Sequence, residues 1–94
     1  MQPFYRFQII TPQGIAYKGE VVHTLIPAED GYVGILANHA PYVTSSSGGW
    51  LQLREKELTE KKFKVGAGFF AVSKNQASFL TQFFETENSQ RPSP

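Results

Sequence analysis

The feature that most constrains the fold is a repeated alternation of apolar and polar residues over short segments. The stretches "FYRFQII", "WLQLRE" and "ASFLTQF" place apolar side chains at every second position. That period is typical of a β-strand, whereas a helix packed on a core needs apolar residues three and four apart. Turn residues separate the segments roughly every 8–12 residues, so we expect an all-β fold: a flattened β-sandwich or barrel of about 8–10 short strands.

The chain length supports a single domain. Its 94 residues leave no room for a second hydrophobic core. Residues 1–86 carry the alternating segments and are predicted to form the β-sandwich domain. Residues 87–94, "ENSQRPSP", are polar and proline-rich, and we expect them to be a disordered tail.

Two segments are harder to interpret. "IAYKGE" is predicted as a short strand or turn closed by Gly19, with a new strand running from Glu20 to Pro27. "LREKELTEKKF" is built of good helix formers but lacks the apolar stripe of a docked helix. Its flanks alternate, so we predict a hairpin with its tip near residues 57–59. A short exposed helix is the alternative.

Charge and composition exclude several classes of protein. Nine basic and eight acidic residues give a net charge of +1, which does not favour nucleic acid as a partner. The absence of cysteine removes disulfides, thiolate chemistry and cysteine-based zinc sites. There is no apolar run of about 18 residues to span a membrane, and the N-terminus has neither a signal nor a transit pattern. A cytoplasmic or organelle-encoded protein fits these features best.

His39, in the loop "ANHAP", is the first candidate for chemistry. A metal site needs several ligands at suitable spacing, but His23 and His39 are far apart and form no H-x-H or H-E-x-x-H pair. A triad of His39 with Asp30 and a serine of "TSSSGG" lacks the G-x-S-x-G elbow. We therefore predict no metal site and no nucleophilic centre.

Two further patterns are also better explained by structure than by chemistry. Glu29 and Asp30 could pair for glycoside chemistry, but adjacent acidic residues before Gly31 are typical of a solvated turn. "GAGFFA" has the first two glycines of a phosphate loop but leads into a strand, so they more simply mark a bend or close packing. We expect no cofactor and no enzymatic activity.

From the residues alone, the chain is a non-enzymatic β domain that presents loops. One hypothesis from this pattern is a standalone ligand-binding domain that uses the "AEDG" and "ANHAP" loops. It requires a concave pocket lined by Tyr32, His39 and Tyr42.

A second hypothesis comes from a family resemblance. Residues 31–44, "GYVGILANHAPYVT", combine G-x-x-G-I-L with a short spacer and H-A-P, an apolar pair and threonine. "FQIITPQGIAYKGEV", "TLIPAEDG" and "VGAGFFAVSKNQASFL" follow the same family in order. From about Phe4 to Phe84 the chain resembles the epsilon subunit of the F-type ATP synthase.

The resemblance implies both a fold and a role. The fold would be a flattened β-sandwich at the foot of the central stalk. The role would be non-catalytic: the domain would join the gamma subunit to the c-subunit ring and turn with them during proton- or sodium-driven ATP synthesis. It would be peripheral, on the cytoplasmic side of a bacterial inner membrane.

The motif also implies which residues meet each partner. The residues that would lie against gamma are Thr11, His39, Ala40, Pro41, Tyr42 and Thr44. The turn that would face the c ring comprises Glu29, Asp30, Gly31 and Tyr32.

Two departures from the family pattern change these expectations. Tyr32 stands where an acidic residue is common, so the ring contact would depend less on charge. Nothing helical follows Glu85, whereas family members commonly continue into a helical hairpin. The resemblance is therefore to a short form, and it does not imply inhibition of ATP hydrolysis or ATP sensing.

Overall fold

A computed structural model describes residues 2–86 and is all-β. The predicted tail, residues 87–94, lies outside the described residues. No helix long and apolar enough to cross a membrane occurs within residues 2–86. The strands are β1 (Tyr5–Thr11), β2 (Gly14–Ala28), β3 (Gly31–Leu36), β4 (Tyr42–Ser46), β5 (Gly49–Glu55), β6 (Glu60–Val65), β7 (Gly68–Ser73), β8 (Gln76–Thr81) and β9 (Phe84–Thr86).

The strands form two layers that share β2. The hydrogen-bonded order is β4-β7-β8-β1-β2-β5-β6-β9, and β3 also pairs with β2. β1 pairs with the first half of β2, and β3 pairs with its second half on the same edge. We call β4, β7, β8, β1 and the first half of β2 the first sheet. The second sheet comprises the second half of β2 with β3, β5, β6 and β9. The predicted β-sandwich of short strands is confirmed.

The predicted break at Gly19 is wrong, because β2 runs without interruption from Gly14 to Ala28. Gly19 pairs with Phe7 in mid-strand rather than closing a turn. Its lack of a side chain leaves space for Tyr17, whose hydroxyl a Cβ at Gly19 would strike. The irregularities in β2 lie elsewhere: its register with β1 shifts between Ile15 and Tyr17, and its register with β5 shifts between Val21 and His23. A bulge of this kind increases local twist, which helps the strand pass from one layer to the other.

The predicted hairpin between β5 and β6 is confirmed, and a second tight turn joins β7 to β8. Between β5 and β6 the chain turns through residues 56–59, where Leu58 has φ 74° and donates its N–H to the Glu55 carbonyl at 2.7 Å. The alternative of a short helix there is wrong. Between β7 and β8, Lys74 and Asn75 have φ 51° and 59°, the backbone of a tight two-residue hairpin that matches strand twist.

The core lies between the sheets and is mostly aromatic and β-branched. Phe7, Phe70 and Phe79 come from the first sheet, and Leu51 and Phe63 come from the second. Alternate residues of β1, β5, β6, β7 and β8 are buried, as period-two patterning requires. In these strands, the alternation in the sequence predicts which of two successive side chains is buried in the core.

Tyr5 carries a polar group into this core. Its hydroxyl donates to the Ile35 carbonyl at 2.9 Å and therefore accepts from the Thr24 hydroxyl at 2.7 Å. Burial raises the pKa of Tyr5 to about 12, despite the opposing hydrogen bond from Thr24. The three residues join β1, β2 and β3 at the point where β2 changes its neighbour.

Candidate partner-binding surfaces

An apolar patch lies on the outer face of the first sheet. Ile10 pairs with Leu80, Leu80 with Phe69, and Phe69 with Ser45, so these side chains form a row across four strands. Phe69 is 62% exposed and Leu80 47% exposed. We define the outer apolar patch as Ile10, Ile15, Val43, Phe69 and Leu80.

Apolar doublets in the sequence explain why this patch exists. Ile9-Ile10, Phe69-Phe70 and Phe79-Leu80 each put two apolar residues in succession on a strand. Successive side chains point to opposite faces, so one of each doublet is buried and the other faces outward. The doublets lie on neighbouring strands, β1, β8 and β7, and their outward members therefore meet. Doublets on adjacent strands were the sequence signal for this surface, and the motif-based prediction missed it.

A shallow groove borders the patch at the end of the sheet. It encloses about 580 Å³ and is lined mainly by apolar groups, among them Ile10, Pro12, Phe69 and Leu80. Thr11 lies in this groove. Its hydroxyl accepts from the Gln13 N–H and donates to the Gly14 carbonyl, both at 3.2 Å, which stabilises the turn between β1 and β2.

The acidic turn joins β2 to β3 at the same end of the molecule. Ala28 pairs with Gly31, which leaves Glu29 and Asp30 as the two exposed turn residues. Gly31 has φ 123°, and a Cβ added there would have no neighbour within 4 Å, so the backbone conformation, not space, requires glycine. Glu29 is tied to Ser45 of β4: its N–H donates to the Ser45 carbonyl at 3.1 Å, and the Ser45 hydroxyl donates to its carboxylate at 2.9 Å.

The "ANHAP" loop lies at the opposite end of β4 and is held by the β7–β8 turn. The Asn38 N–H donates to the Asn75 side-chain oxygen at 2.6 Å, and the Asn75 amide donates back to the Asn38 side chain at 3.1 Å. His39 Nδ1 lies 2.6 Å from the Ala40 carbonyl, so this nitrogen carries the proton. The His39 ring also packs near Tyr42, with centroids 5.8 Å apart. The loop is shaped by hydrogen bonds within the chain.

The residues predicted to meet gamma do not form one cluster. His39, Ala40 and Pro41 precede β4, whereas Thr11 lies beside the Ser45 end of that strand. The first and last residues of β4, Tyr42 and Ser46, are about 13 Å apart, at about 3.3 Å per residue. Tyr42 packs against the core, and Thr44 pairs with the buried Phe70.

Val43 is an apolar residue of β4 that faces outward, and it is 72% exposed. It pairs with Ala71, which is also exposed on the outer face of the first sheet. Val43 therefore belongs to the exposed apolar surface, although the family motif does not assign it to a contact. The assignment of individual residues to gamma stays a prediction.

The hypothesis of a ligand pocket lined by Tyr32, His39 and Tyr42 is not supported. Tyr32 is the second residue of β3, beside the acidic turn, whereas His39 follows the far end of that strand. Three shallow depressions on the described surface, of about 450, 290 and 580 Å³, are lined by other residues. Within residues 2–86, no three His, Cys, Asp or Glu side chains are grouped so that they could hold a metal ion.

Among residues 2–86, Tyr17 has the pKa that is raised furthest, and the contacts around its hydroxyl are structural. Its hydroxyl donates to Glu55 at 2.5 Å, and Lys61 approaches the same carboxylate at 3.4 Å. Burial, and then the Glu55 carboxylate, raise the pKa of Tyr17 well above its usual value. Its ring packs against Phe63, with centroids 5.2 Å apart. The cluster links β2 to β5 and β6 rather than lining a cleft.

Comparison with known proteins identifies the family. Residues 4–87 match the family described as "ATP synthase, Delta/Epsilon chain, beta-sandwich domain". The chain belongs to this family. The Delta/Epsilon match covers both sheets and both surfaces described above.

Curated relatives carry the name ATP synthase epsilon chain. The protein from Chlorobium limicola is 35% identical over 78 residues, which are 83% of this chain and 89% of the relative. The protein from Leptospira borgpetersenii is 42% identical over 73 residues, 78% of this chain but 57% of the relative. The chain thus spans most of the first relative and little more than half of the second.

Solved structures of the same fold come from ATP synthases. One is described as Euglena gracilis mitochondrial ATP synthase, OSCP/F1/c-ring. Its matching chain superimposes with a TM-score of 0.86 at 16% identity, over 97% of this chain and 59% of its own length. Another, described as Tetrahymena thermophila mitochondrial ATP synthase central stalk/c-ring, gives a TM-score of 0.71 at 12% identity, over 88% and 66%. At these identities the likeness establishes the fold.

Proposed function

We propose that this chain is a non-catalytic rotor subunit of an F-type ATP synthase. It binds the gamma subunit through the outer apolar patch and its borders, including the predicted residues Thr11, His39, Ala40, Pro41, Tyr42 and Thr44. It binds the c ring through the turn formed by Glu29, Asp30, Gly31 and Tyr32. It is held peripherally at the cytoplasmic side of a bacterial inner membrane, through the complex alone.

The observation that carries the proposal is the outer apolar patch. Phe69 and Val43 are more than 60% exposed, at 62% and 72%, in a chain too small to spare apolar residues from its core. A contiguous apolar area rimmed by polar groups is characteristic of a protein-binding surface. Family membership makes the gamma subunit the partner that such a face would be expected to meet.

The position of the acidic turn supports a second, simultaneous contact. The patch lies on the face of the first sheet, whereas Glu29 and Asp30 project where β2 and β3 meet. A partner on the sheet face leaves the two exposed carboxylates accessible at the sheet end. The chain can therefore lie between two subunits, which is the geometry that torque transfer requires.

Rigidity is the other property that a coupling subunit needs. Hydrogen-bonded pairing is continuous through β2, so both sheets belong to one network. The buried Tyr5–Thr24–Ile35 contacts lie where β2 passes between the layers. Load applied to one sheet is therefore carried to the other through paired backbone rather than through a flexible linker.

Co-expression with the gamma subunit of the same synthase tests the proposal. The unmodified chain should co-elute with gamma in gel filtration. A Phe69→Ser/Leu80→Ser variant should bind at least about tenfold more weakly, because it removes the centre of an apolar interface. Leu36→Ser is the matched control, since Leu36 is 59% exposed but lies in β3 of the second sheet. Failure of the unmodified chain to co-elute, or equal loss in all variants, would refute the proposal.

A further inference from the structure

We propose that Ser45 is a positioning residue that holds the acidic turn in the conformation that the c ring binds. The inference rests on the proposed function, because it concerns how the turn is presented once gamma occupies the outer apolar patch. In the sequence Ser45 is a candidate only for a nucleophile, and the family motif assigns it no role.

Ser45 belongs to both surfaces. Its backbone pairs with Phe69, the central side chain of the patch. On its other edge, its carbonyl accepts the Glu29 N–H at 3.1 Å and its hydroxyl donates to the Glu29 carboxylate at 2.9 Å. One residue thus connects the strand beneath the gamma-facing patch to the turn that faces the ring.

The position of Ser45 is itself well fixed. The hydroxyl of Ser46, the next residue, is buried and accepts the Gly48 N–H at 2.9 Å. The hydroxyl of Thr44 donates to the Ser45 carbonyl at 3.1 Å. In the run "TSSS", Ser45 is the serine whose hydroxyl contacts the acidic turn, whereas Ser47 is exposed beyond the strand.

The hydrogen bonds with Ser45 restrict the acidic turn, whose own side chains are exposed. A free glutamate samples many rotamers, and a partner that binds it must restrict them. The hydrogen bond from Ser45 restricts Glu29 in advance and engages one carboxylate oxygen, which leaves the other oxygen and Asp30 available. Preorganisation of this kind raises affinity by reducing the ordering cost on binding.

A double-mutant cycle on the assembled rotor tests the role of Ser45. Complexes of gamma with this chain are prepared with Ser45→Ala, Ser45→Thr, Glu29→Ala and the Glu29→Ala/Ser45→Ala pair. Gamma is kept saturating in every complex, so that a change in gamma affinity does not enter the comparison, and binding to the isolated c ring is then measured. Ser45→Thr keeps the hydroxyl donor and suits a β-strand. It therefore distinguishes the effect of losing the donor from the effect of changing the side chain.

Loss of the donor should weaken ring binding by roughly 2- to 12-fold, the factor that corresponds to one newly ordered side chain. Ser45→Thr should retain wild-type ring binding, and Ser45→Ala should have no further effect on ring binding beside Glu29→Ala. Unchanged ring binding by Ser45→Ala, or a loss fully additive with that of Glu29→Ala, would overturn the role of Ser45 while leaving the proposed function intact. A wild-type complex that binds gamma but not the ring would overturn both.

Discussion

Phe69 and Leu80 lie opposite each other on β7 and β8, with both side chains directed away from the core. Their neighbours along the strands, Phe70 and Phe79, form the equivalent pair on the inner face. Each strand therefore supplies one aromatic residue to the core and one apolar residue to the outside. This arrangement maintains a stable sandwich and at the same time reserves an apolar surface for a partner.

Gly68 allows β7 and β8 to come together, and replacing it with alanine should destabilise the fold. A Cβ at Gly68 would collide with the carbonyl oxygen of Leu80, which is backbone and cannot move aside. We expect Gly68→Ala to lower the free energy of unfolding by roughly 1–3 kcal/mol or more, as overpacking does. The control is Gly34→Ala, whose Cβ would meet only the His23 side chain at 3.4 Å. Urea denaturation of both variants should show a clear difference, and equal stabilities would contradict this account.

Tyr5→Phe should destabilise the protein near neutral pH by about 1–3 kcal/mol, because it leaves the buried Thr24 hydroxyl and Ile35 carbonyl without their partner. The Tyr5 pKa is raised from 10 to about 12 in the folded state. The folded state therefore holds the proton more tightly than the unfolded state. The resulting stability is complete below pH 10 and is lost as the pH rises to about 12.

Between pH 10 and about pH 12, the free energy of unfolding of the unmodified chain should thus fall by about 2–3 kcal/mol more than that of Tyr5→Phe. Tyr17 is present in both proteins, so its own alkaline titration cancels in the comparison. Urea denaturation at a series of pH values would measure this difference. Parallel pH profiles for the two proteins would show that Tyr5 does not titrate as proposed.

Asn75→Gly should loosen the loop that carries His39 without straining the β7–β8 turn. Asn75 has φ 59°, which glycine adopts freely, so the substitution removes only the side-chain contacts with Asn38. We expect a stability loss of roughly 0.5–1.5 kcal/mol per hydrogen bond removed. Hydrogen exchange should become faster at the Asn38 amide. An unchanged exchange rate there would mean that other contacts hold the loop.

His39→Ala should leave the isolated domain folded and should weaken its assembly with gamma. The His39 contacts are local, namely the Ala40 carbonyl and the Tyr42 ring. We expect circular dichroism to be unchanged and the stability loss to be about 1 kcal/mol. Unfolding of His39→Ala would instead show that this half-buried residue is part of the core.

Much of the fold could be predicted from the sequence. The alternation in "FYRFQII" and "WLQLRE" predicts which side chains enter the core, and "KNQ" between β7 and β8 predicts a tight turn. Gly19 was misleading, because a glycine in a strand can end it or can make room for a neighbour. The Tyr17 ring that crosses Gly19 is a contact within the folded strand that spacing does not reveal.

The partner-binding surfaces could be predicted from the sequence less well than the fold. The family motif indicates the "ANHAP" loop, whereas Phe69 and Leu80, at the centre of the outer apolar patch, lie on β7 and β8, far from that loop along the chain. Their proximity depends on strand order, in which β8 lies between β7 and the parallel strand β1. The hydrogen bonds between Glu29 and Ser45 likewise depend on the two layers meeting at one end. The apolar doublets indicate which residues face outward, but the local sequence does not show that those residues meet or that Ser45 contacts Glu29.

The central claim is that one face of this chain meets gamma while its acidic turn meets the c ring. The chain has no cysteine, so single Ala71→Cys and Asp30→Cys variants can each carry a photoactivatable cross-linker at one known site. Ala71 is exposed beside Val43 on the outer face, and Asp30 is exposed in the turn. In the assembled rotor, we predict a gamma adduct from position 71 and a c-subunit adduct from position 30. Cross-links from position 30 to gamma but not to c, or none from position 71 to gamma, would contradict the claim.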